Sequence, residues 1–420
     1  MRRVLLVCWG SYGDLFPYLA IAERLKALGH TPVIASCPLY RDLVTHEGFE
    51  FFPLRPDVQP TDMTLLQAVM DPVRGPEVVV RELVAPAVRD SYADIAAAAD
   101  GADLIVSHPV TFAAPLVAEK LQLPWMATVL APTSFFSIYD FPVLPAAPGA
   151  VVLRNLGSWT SRLLKALARK ATSSWLDPVT QFRRELGLPP GGHPLFEGQF
   201  SPHGNLALFS RVFGPEQRDW PANTRATGFP FFNRAIAMPD ELKAFLDSGE
   251  PPVVFTLGSA AVSAAGTFYE ESAKAVGALG CRAVLLVGRH PENIPRSLPP
   301  NVIAIDSAPH DQLFPRASVV VHQGGVGTTG QAMRSGRPEL VVPHSHDQPD
   351  NAFRVKNLGI ARVLYPKQYV ASSVTAELRV LLADKTITER ADIVGRQLRA
   401  ETGAASAAAA MISLTSELTS

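Results

Sequence analysis

The stretch that decides the fold is "VVVHQGGVGTTGQAMRSGRP", residues 319–338. An apolar run leads into a glycine-rich turn, and the turn leads into a segment with helical spacing. The stretch therefore predicts a buried strand, a tight turn and a helix that starts at the glycines. Its Gly325-x-Gly327-x-x-Gly330 spacing is that of a dinucleotide-binding fingerprint. A packing turn, a dinucleotide site and a site for a different phosphate ligand are the three competing interpretations.

The dinucleotide interpretation, which would make the chain a dehydrogenase, lacks its second element. It requires an acidic residue at the end of the next strand, where the carboxylate holds a ribose. The next predicted strand, 338–344, has Glu339 at its start, and Asp347 follows only after its end. The fingerprint also lies more than 300 residues into the chain. A dehydrogenase is therefore disfavoured.

A diphosphate site explains more of the residues in the turn. Backbone N–H groups at a helix N-terminus bind anions, because they are unsatisfied and lie at the positive end of the helix dipole. His322 adds a donor or a positive charge. The chain contains no Asp-x-Asp pair of the kind that binds Mg²⁺ or Mn²⁺ beside a diphosphate. We therefore expect no metal. The groups expected to contact the diphosphate are His322, Gly325, Val326, Gly327 and Thr328.

Outward from the turn, strands alternate with helices in both halves of the chain. Strands are predicted at 4–10, 31–37, 103–109, 125–132, 251–259, 281–289, 301–308, 317–325 and 338–344, and helices at 16–30, 114–122, 161–171, 178–186 and 270–280. This alternation predicts an α/β protein with two doubly wound, Rossmann-like domains that face each other across a cleft. We divide the chain into an N-terminal domain, 1–230, a C-terminal domain, 231–395, and a helical tail, 396–420, with a linker at 225–235.

Composition excludes several classes of protein. The 420 residues are 47% hydrophobic and 18% charged, which is typical of a globular protein with sizeable cores. The net charge of -1 gives no footprint for nucleic acid. Cys8, Cys37 and Cys281 are far apart and have no metal-ligand spacing, so we expect reduced thiols and a cytoplasmic location. The apolar run at 4–9 is too short for an export signal.

Three longer segments carry a family resemblance: "GSYGDLFPYLAIAERLKALGH" (10–30), "SAPHDQLFPRASVVVHQGGVGTTGQAMRSGRP" (307–338) and "VVPHSHDQPDNAFRVKNLG" (341–359). They resemble the GT-B-fold, inverting, nucleotide-sugar-dependent glycosyltransferases that include macrolide, glycopeptide, sterol and plant secondary-metabolite transferases. Within that family the chain is most similar to the rhamnosyltransferases of rhamnolipid synthesis. The resemblance covers nearly the whole chain. It implies a GT-B fold and a hexosyltransferase that needs no cofactor other than its UDP- or dTDP-sugar co-substrate.

The resemblance also assigns the donor site. The N-terminal domain would bind the acceptor and the C-terminal domain the donor. His322, Gly325, Gly327 and Thr328 would contact the diphosphate, with Ser259 approaching from the facing turn. The sugar hydroxyls would bind Asp347 and Gln348, the base would lie at Ala308, and Arg289 would flank the base or the phosphates.

Two departures from the plant members bear on the nucleotide. Ser307 stands where they have a tryptophan that stacks on uracil, so Arg289 becomes a candidate for stacking. Gly330 stands where they have a glutamate that binds both ribose hydroxyls. A site without that carboxylate has less reason to reject deoxyribose, so dTDP-sugars are expected beside UDP-sugars.

Inverting transfer needs a base, because the attacking hydroxyl must lose its proton. Asp14 follows the first predicted strand and faces the cleft, and bacterial members of the family have an aspartate in this region. We predict that Asp14 is the general base; a role as a helix cap alone stays open. Plant members of the family pair their catalytic histidine with an aspartate near the end of a later strand, and His108 stands close to that place. The resemblance therefore predicts that the pair is reversed here, with His108 near Asp14; a purely structural histidine is the alternative.

The acceptor is expected to be hydrophobic, because aromatic residues are dense across 132–160. Arg2 and Arg3 are compatible with a peripheral membrane contact. The sugar, the acceptor and the type of glycosidic bond stay open, and so does the oligomeric state. A sugar-nucleotide epimerase and a non-catalytic nucleotide-sugar binder are the alternative functions. The candidate acceptor residues are Trp9, Phe16, Phe112, Phe135, Phe136, Tyr139, Phe141 and Trp159.

Overall fold

The computed structural model describes residues 1–59, 61–233 and 236–417. Two separate sheets organise this part of the chain, and all strand pairs in both are parallel. The predicted α/β class with two doubly wound sheets is therefore confirmed. None of the described helices is long and apolar enough to cross a membrane.

The first sheet has seven strands in the order β3-β2-β1-β4-β5-β6-β7. Val4 to Val7 of the central strand are completely buried, as continuous apolar runs are in parallel sheets covered on both faces. The strands are β1 Arg3–Val7, β2 Thr31–Ser36, β3 Glu50–Pro53, β4 Leu104–Ser107, β5 Trp125–Val129, β6 Asn205–Ala207 and β7 Thr224–Ala226. The helices of this half are α1 Tyr12–Ala27, α2 Arg41–His46, α3 Met63–Val69, α4 Gly75–Glu77, α5 Val88–Ala98, α6 Ala113–Leu121, α7 Ser158–Thr172 and α8 Asp177–Glu185.

The second sheet has six strands in the order β10-β9-β8-β11-β12-β13. They are β8 Val253–Thr256, β9 Ala283–Leu286, β10 Val302–Ile305, β11 Val319–His322, β12 Glu339–Val341 and β13 Ala361–Val363. The remaining helices are α9 Asp240–Asp247, α10 Gly258–Ala261, α11 Phe268–Leu279, α12 His310–Leu313, α13 Val326–Ser335, α14 Gln348–Asn357, α15 Ala371–Ala383, α16 Lys385–Arg399 and α17 Gly403–Glu417.

Both sheets reverse their strand order at the centre. In the first sheet the chain winds outward from β1 on one side and from β4 on the other, and in the second it does so from β8 and β11. Loops that leave two such strands diverge, so a crevice opens at the carboxyl ends of the strands. The residues that follow β1, β4, β8 and β11 are therefore placed to form a site.

The C-terminal helix α17 returns to the first half of the molecule. Its Ala407, Met411 and Leu414 are buried in the same hydrophobic cluster as Leu15 and Leu19 of α1. The stretch predicted as a helical tail, 396–420, is thus split between the end of α16 and α17, with its last three residues outside the described part. Residues 224–226 form β7, so the predicted linker at 225–235 overlaps the last strand of the first sheet.

Candidate active site

Asp14 is held in a fixed orientation at the start of α1. The helix begins with a capping box, in which the Ser11 side chain accepts from the Gly13 N–H and Asp14 Oδ2 accepts from the Ser11 N–H at 2.7 Å. The Ser11 hydroxyl lies 3.0 Å from the same oxygen. Asp14 therefore does cap the helix, and its other oxygen, Oδ1, points away from the cap.

The structure brings His108 and Asp14 together. His108 follows β4, and its Nε2 lies 3.2 Å from Asp14 Oδ1. The Val110 N–H approaches His108 Nδ1 at 3.4 Å, so Nε2 carries the proton that is donated to Asp14. Burial alone would raise the pKa of Asp14, but the hydrogen bonds from His108 and Ser11 hold that pKa below its usual value. The carboxylate is therefore ionised at neutral pH and available as a base.

Gly10 makes room for this carboxylate. Its φ is +140°, in the region that favours glycine. A Cβ placed on Gly10 would lie 2.3 Å from Asp14 Oδ2. Any side chain at this position would displace Asp14.

Two helix N-termini face each other across the cleft. A Cβ placed on Gly327, in the first turn of α13, would lie 3.7 Å from the Cα of Gly13, in the first turn of α1. Within α13, the first turn leaves backbone N–H groups without intrahelical acceptors. Since the positive ends of the two helix dipoles lie next to each other, the surroundings of these two turns favour an anion. Asp14 lies at its edge.

The structure is at odds with the expected role of His322. Its side chain is completely buried, its Nε2 lies 3.0 Å from Glu339 Oε2, and its Nδ1 accepts the Gly324 N–H at 3.1 Å. Both ring nitrogens are therefore bound within the protein, and the imidazole does not face the cleft. Burial raises the pKa of Glu339, an effect that the hydrogen bond from His322 opposes. His322 anchors the glycine turn instead of contacting a ligand directly.

Gln323 is the residue at this turn that sequence reasoning missed. Its side chain is buried, and its Oε1 has no hydrogen-bond partner among the described residues. A Cβ placed on Gly258 would lie 2.3 Å from Gln323 Nε2 and 3.3 Å from Thr328 Oγ1. The amide is thus located between the turn after β8, which carries the exposed Ser259, and the first turn of α13. An amide in this place can donate to an anion bound there.

Asp347 and Gln348 lie at the start of α14, across the cleft from Asp14. Asn351 Nδ2 donates to Asp347 Oδ2 at 2.7 Å. Burial raises the pKa of Asp347 to about 7; the charge of Asp14 adds to this, and the hydrogen bond from Asn351 opposes it. Gln348 Oε1 accepts the His344 N–H at 2.8 Å, so one end of that amide shapes its own loop.

The same loop fastens the two domains together. The Ser345 hydroxyl donates to the carbonyl of Asp71 at 2.8 Å, and His346 Nε2 donates to the carbonyl of Val69 at 2.8 Å. These bonds cross between segments more than 270 residues apart in sequence. They fix the distance between the Asp347 loop and the first domain.

The residues expected around the nucleotide lie after β9, β10 and in α13. Arg289 is exposed and Ala308 is half-buried, each at the carboxyl end of its strand. A Cβ placed on Gly330 would lie 3.0 Å from the ring of Phe229. The ring of Phe229 therefore occupies the space that a longer side chain at this position would need.

A cavity of about 390 Å³ opens beside His108. Its wall is mostly apolar and includes Phe112, Leu116 and Phe200, together with Thr111 and the loop at residues 188–202. The volume is within the range of small-molecule sites. The loop lies in the stretch at 132–235 that is rich in Pro, Gly and aromatic residues, where the sequence predicts a ligand-facing region. None of the loop's own residues was predicted to line the site.

Most of the predicted acceptor aromatics lie elsewhere. Phe135 is a core residue stacked on Trp220 at 4.1 Å between ring centroids, and Phe141 is also buried. Trp9 is buried, with its Nε1 donating to the carbonyl of Pro56. Trp159 points into solvent, with 63% of its surface exposed. Of the eight, Phe112 lines the cavity; Phe16 packs on Phe232, Phe136 on Phe196, and Tyr139 lies under Arg218.

Across the three described ranges, no group of three or more His, Cys, Asp or Glu side chains could hold a metal ion. Cys8 and Cys37 are buried thiols, and burial raises the pKa of both; the pKa of Cys37 rises to about 11.

Comparison with known proteins agrees with this geometry. Residues 272–414 match the family model described as Erythromycin biosynthesis protein CIII-like, C-terminal domain. O-mycaminosyltylonolide 6-deoxyallosyltransferase of Streptomyces fradiae is 33% identical over 419 residues, which cover 96% of this chain and 94% of that protein. Sterol 3-beta-glucosyltransferase of Neurospora crassa is 28% identical over 96% of this chain, which spans 26% of that longer protein.

The fold has solved relatives too. The crystal structure of glycosyltransferase VinC in complex with dTDP superposes with a TM-score of 0.71 at 21% identity, over 99% of this chain and 100% of that one. At this identity the match shows the fold alone. The 33% identity to a transferase over nearly the full length of both chains shows the family. The chain therefore belongs to the GT-B glycosyltransferases and is a glycosyltransferase enzyme.

Proposed function

We propose that this enzyme transfers a sugar, with inversion, from a UDP- or dTDP-sugar to a hydroxyl of a hydrophobic acceptor, without a metal ion. One observation carries the proposal: the hydrogen-bonded Asp14–His108 pair lies beside the cleft where the N-termini of α1 and α13 oppose each other. A base on one domain and an anion site on the other are what an inverting displacement requires.

In the proposed reaction Asp14 takes the proton of the acceptor hydroxyl while that oxygen attacks the anomeric carbon. The bond from the anomeric carbon to the diphosphate oxygen breaks, and its electron pair leaves with the diphosphate. His108 does not accept this proton, since its Nε2–H already donates to Asp14 Oδ1. It keeps the carboxylate ionised and orients it. Ser11 already donates twice to Asp14 Oδ2, whereas Asp14 Oδ1 accepts, among the described residues, only from His108, so the lone pair that remains for the acceptor proton is on Oδ1.

The leaving diphosphate would bind at the first turn of α13. The N–H groups of Gly327 and Thr328 and the amide of Gln323 are the proposed donors, with Ser259 opposite. Each helix N-terminus supplies about half a positive charge, and two converge here. Asp347 and Gln348 are assigned to the sugar hydroxyls. A protonated Asp347 can donate to the sugar, and an ionised one can accept from it.

The proposal includes both UDP- and dTDP-sugars because position 330 has no carboxylate that could bind the ribose hydroxyls. Gly330 stands there, and the ring of Phe229 fills the adjacent space. The solved relative VinC binds dTDP, which supports the inclusion of dTDP-sugars. The acceptor would occupy the 390 Å³ cavity beside His108. Its apolar wall, and the names of relatives that act on a tylonolide and on sterols, favour a polyketide, sterol or lipid acceptor.

The first experiment is a thermal-shift comparison of UDP-glucose, dTDP-glucose, dTDP-rhamnose and NAD⁺ in the presence of a chelator. A ligand that binds the native state raises Tm by mass action. We expect a rise with at least one sugar nucleotide and none with NAD⁺. If NAD⁺ alone raised Tm, the proposal of a nucleotide-sugar donor would be refuted. An epimerase would interconvert the donor sugar with no acceptor present, which NMR of the donor detects.

A further inference from the structure

Helix α7 presents an apolar stripe to solvent. Trp159, Leu163 and Leu167 follow one another at intervals of four residues, and 63%, 54% and 54% of their surfaces are exposed. Residues four apart lie on one face of a helix. The buried residues of α7 are the small polar Thr160 and Ser161. Trp159, Leu163 and Leu167 therefore face outward, whereas Leu164 is half-buried.

The stripe extends beyond the helix. In the preceding 3₁₀ turn, Pro148–Leu156, the side chains of Val152 and Leu156 are 65% and 59% exposed. We call these five residues (Val152, Leu156, Trp159, Leu163 and Leu167) the α7 face. A run of contiguous exposed apolar side chains marks an interaction site.

Positive charge accompanies the α7 face. Between Asp140 and Asp177 the sequence has no acidic residue, although the whole chain has a net charge of only -1. One of the cations, Arg169, lies 3.3 Å from Glu197. The charged residues of this segment are Arg154, Arg162, Lys165, Arg169 and Lys170.

We propose that the α7 face docks the enzyme onto an anionic lipid surface. A helix with Trp and Leu on one side and Lys and Arg beside them lies in the plane of a bilayer interface. Its apolar side chains enter the acyl region, and its cations attract anionic head groups. Head-group phosphates supply negative charge evenly, which matches a segment that carries charge of one sign only.

The α7 face adjoins the acceptor cavity. The loop at 188–202 lines the cavity, and it touches the end of α7, where Thr172 Oγ1 lies 3.4 Å from His193 Nε2. A docked enzyme would take a hydrophobic acceptor from the membrane. This last step rests on the proposed function, whereas the docking itself goes beyond it and is tested without turnover.

The test is sedimentation of the full chain with phosphatidylcholine vesicles, with and without phosphatidylglycerol. We expect the protein to sediment with the anionic vesicles, and less so as salt is raised. The variant Leu163→Ser/Leu167→Ser should lose about tenfold or more of the vesicle partition coefficient, since each exposed leucine contributes apolar area to the bilayer. The variant Lys165→Glu/Lys170→Glu should lose the preference for anionic vesicles.

The matched control is Leu382→Ser/Ile393→Ser, which removes two exposed apolar side chains from α15 and α16. It should sediment like the wild type. The docking proposal is overturned if the wild type does not bind anionic vesicles, or if the Leu163→Ser/Leu167→Ser variant and the Leu382→Ser/Ile393→Ser control lose binding equally. It is also overturned if light scattering shows a dimer that the α7 variant disperses while vesicle binding is absent, because the face is then a protein interface.

Discussion

The buried His322–Glu339 pair predicts that substitution of His322 lowers the stability of the fold, whereas substitution of the adjacent Gln323 weakens donor binding. His322→Ala removes two hydrogen bonds, to Glu339 at 3.0 Å and to the Gly324 N–H at 3.1 Å. Both side chains of the pair are completely buried, so Glu339 cannot find water in place of the imidazole. Removing one partner of a buried pair costs about 3–5 kcal/mol. For a domain of this size we expect a loss of about 10 °C in Tm.

Gln323→Ala is the matched variant at the adjacent position. The Gln323 Oε1 makes no hydrogen bond to the described residues, so the native state loses little, and Tm should stay within a few degrees of the wild type. Its predicted loss is in kcat/KM for the nucleotide sugar, about tenfold to a hundredfold for one hydrogen bond to a charged ligand.

The assay measures thermal unfolding and donor kinetics on the two single variants and on His322→Leu/Glu339→Leu. Removing both partners leaves no buried charge, so the double variant should recover most of the stability that His322→Ala loses. The His322→Ala deficit should also grow with pH, because the unpaired Glu339 takes up a proton on folding and that stability is lost as pH rises. The assignment of a structural role to His322 and a donor-binding role to Gln323 would be refuted if His322→Ala kept the wild-type Tm but bound the donor weakly while Gln323→Ala left donor kinetics unchanged.

Four further predictions concern the cleft. Asp14→Asn should lower kcat about 10²–10⁴-fold with little change in donor KM; retention of kcat would remove Asp14 as the base. Gly10→Ala should lower kcat with Asp14 still present, because its Cβ would lie 2.3 Å from Asp14 Oδ2; unchanged kinetics would contradict this. Asp347 has a pKa raised to about 7 by burial, so it contributes stability at low pH that is lost as pH rises through that value; the Tm gain of Asp347→Asn should be larger at about pH 8 than at about pH 5. Without a ribose carboxylate at Gly330, kcat/KM for the UDP- and dTDP-forms of one sugar should agree within about tenfold; a far larger preference for UDP would mean that another group reads the ribose.

The sequence predicted the main architecture, because central strands of parallel sheets are long apolar runs with clear helical segments between them. The strands it missed are those with the weakest signal. β3, β6, β7 and β13 have only three or four residues each. Unlike the equally short β12, which lies in a longer apolar run, they have no such run around them, and only their neighbours in the sheet define them. The proximity of Asp14 and His108 was expected from the family resemblance, and the switch point between β1 and β4 accounts for it physically.

The predicted contact of His322 with a diphosphate does not agree with its buried, internally bonded side chain, and the sequence contains a signal for that burial. Side chains alternate along a strand, so His322 shares a face with Val320, which packs against Leu313 and Phe314 in the core. The next residue, Gln323, is then directed to the other side. In the register of β11 with β12, Val320 pairs with Glu339, and this brings the Glu339 carboxylate to His322. No local sequence pattern predicts that partner, because the two residues are on different strands.

The exposure of Trp159, a candidate acceptor residue, was also not predicted from the sequence. Trp159, Leu163 and Leu167 have the spacing of one helix face, and a helix face that carries tryptophan normally packs against a core. Which way a helix turns depends on what covers it, and α7 mainly contacts the turns that flank it in sequence. The sequence shows which residues of α7 share a face, but it does not show whether that face packs against the protein or is exposed to solvent.

The candidate site results from a topological feature that both sheets share. Each sheet reverses its winding at its centre, so each leaves a crevice at the carboxyl ends of two strands. The first crevice supplies the carboxylate and its histidine, and the second supplies the glycine turn and the start of α13. Because the Ser345 and His346 hydrogen bonds hold the Asp347 loop against residues 69–71, the two crevices stay opposed. The proposed base and the proposed diphosphate site are then on separate domains, which is the arrangement that the proposed inverting displacement requires.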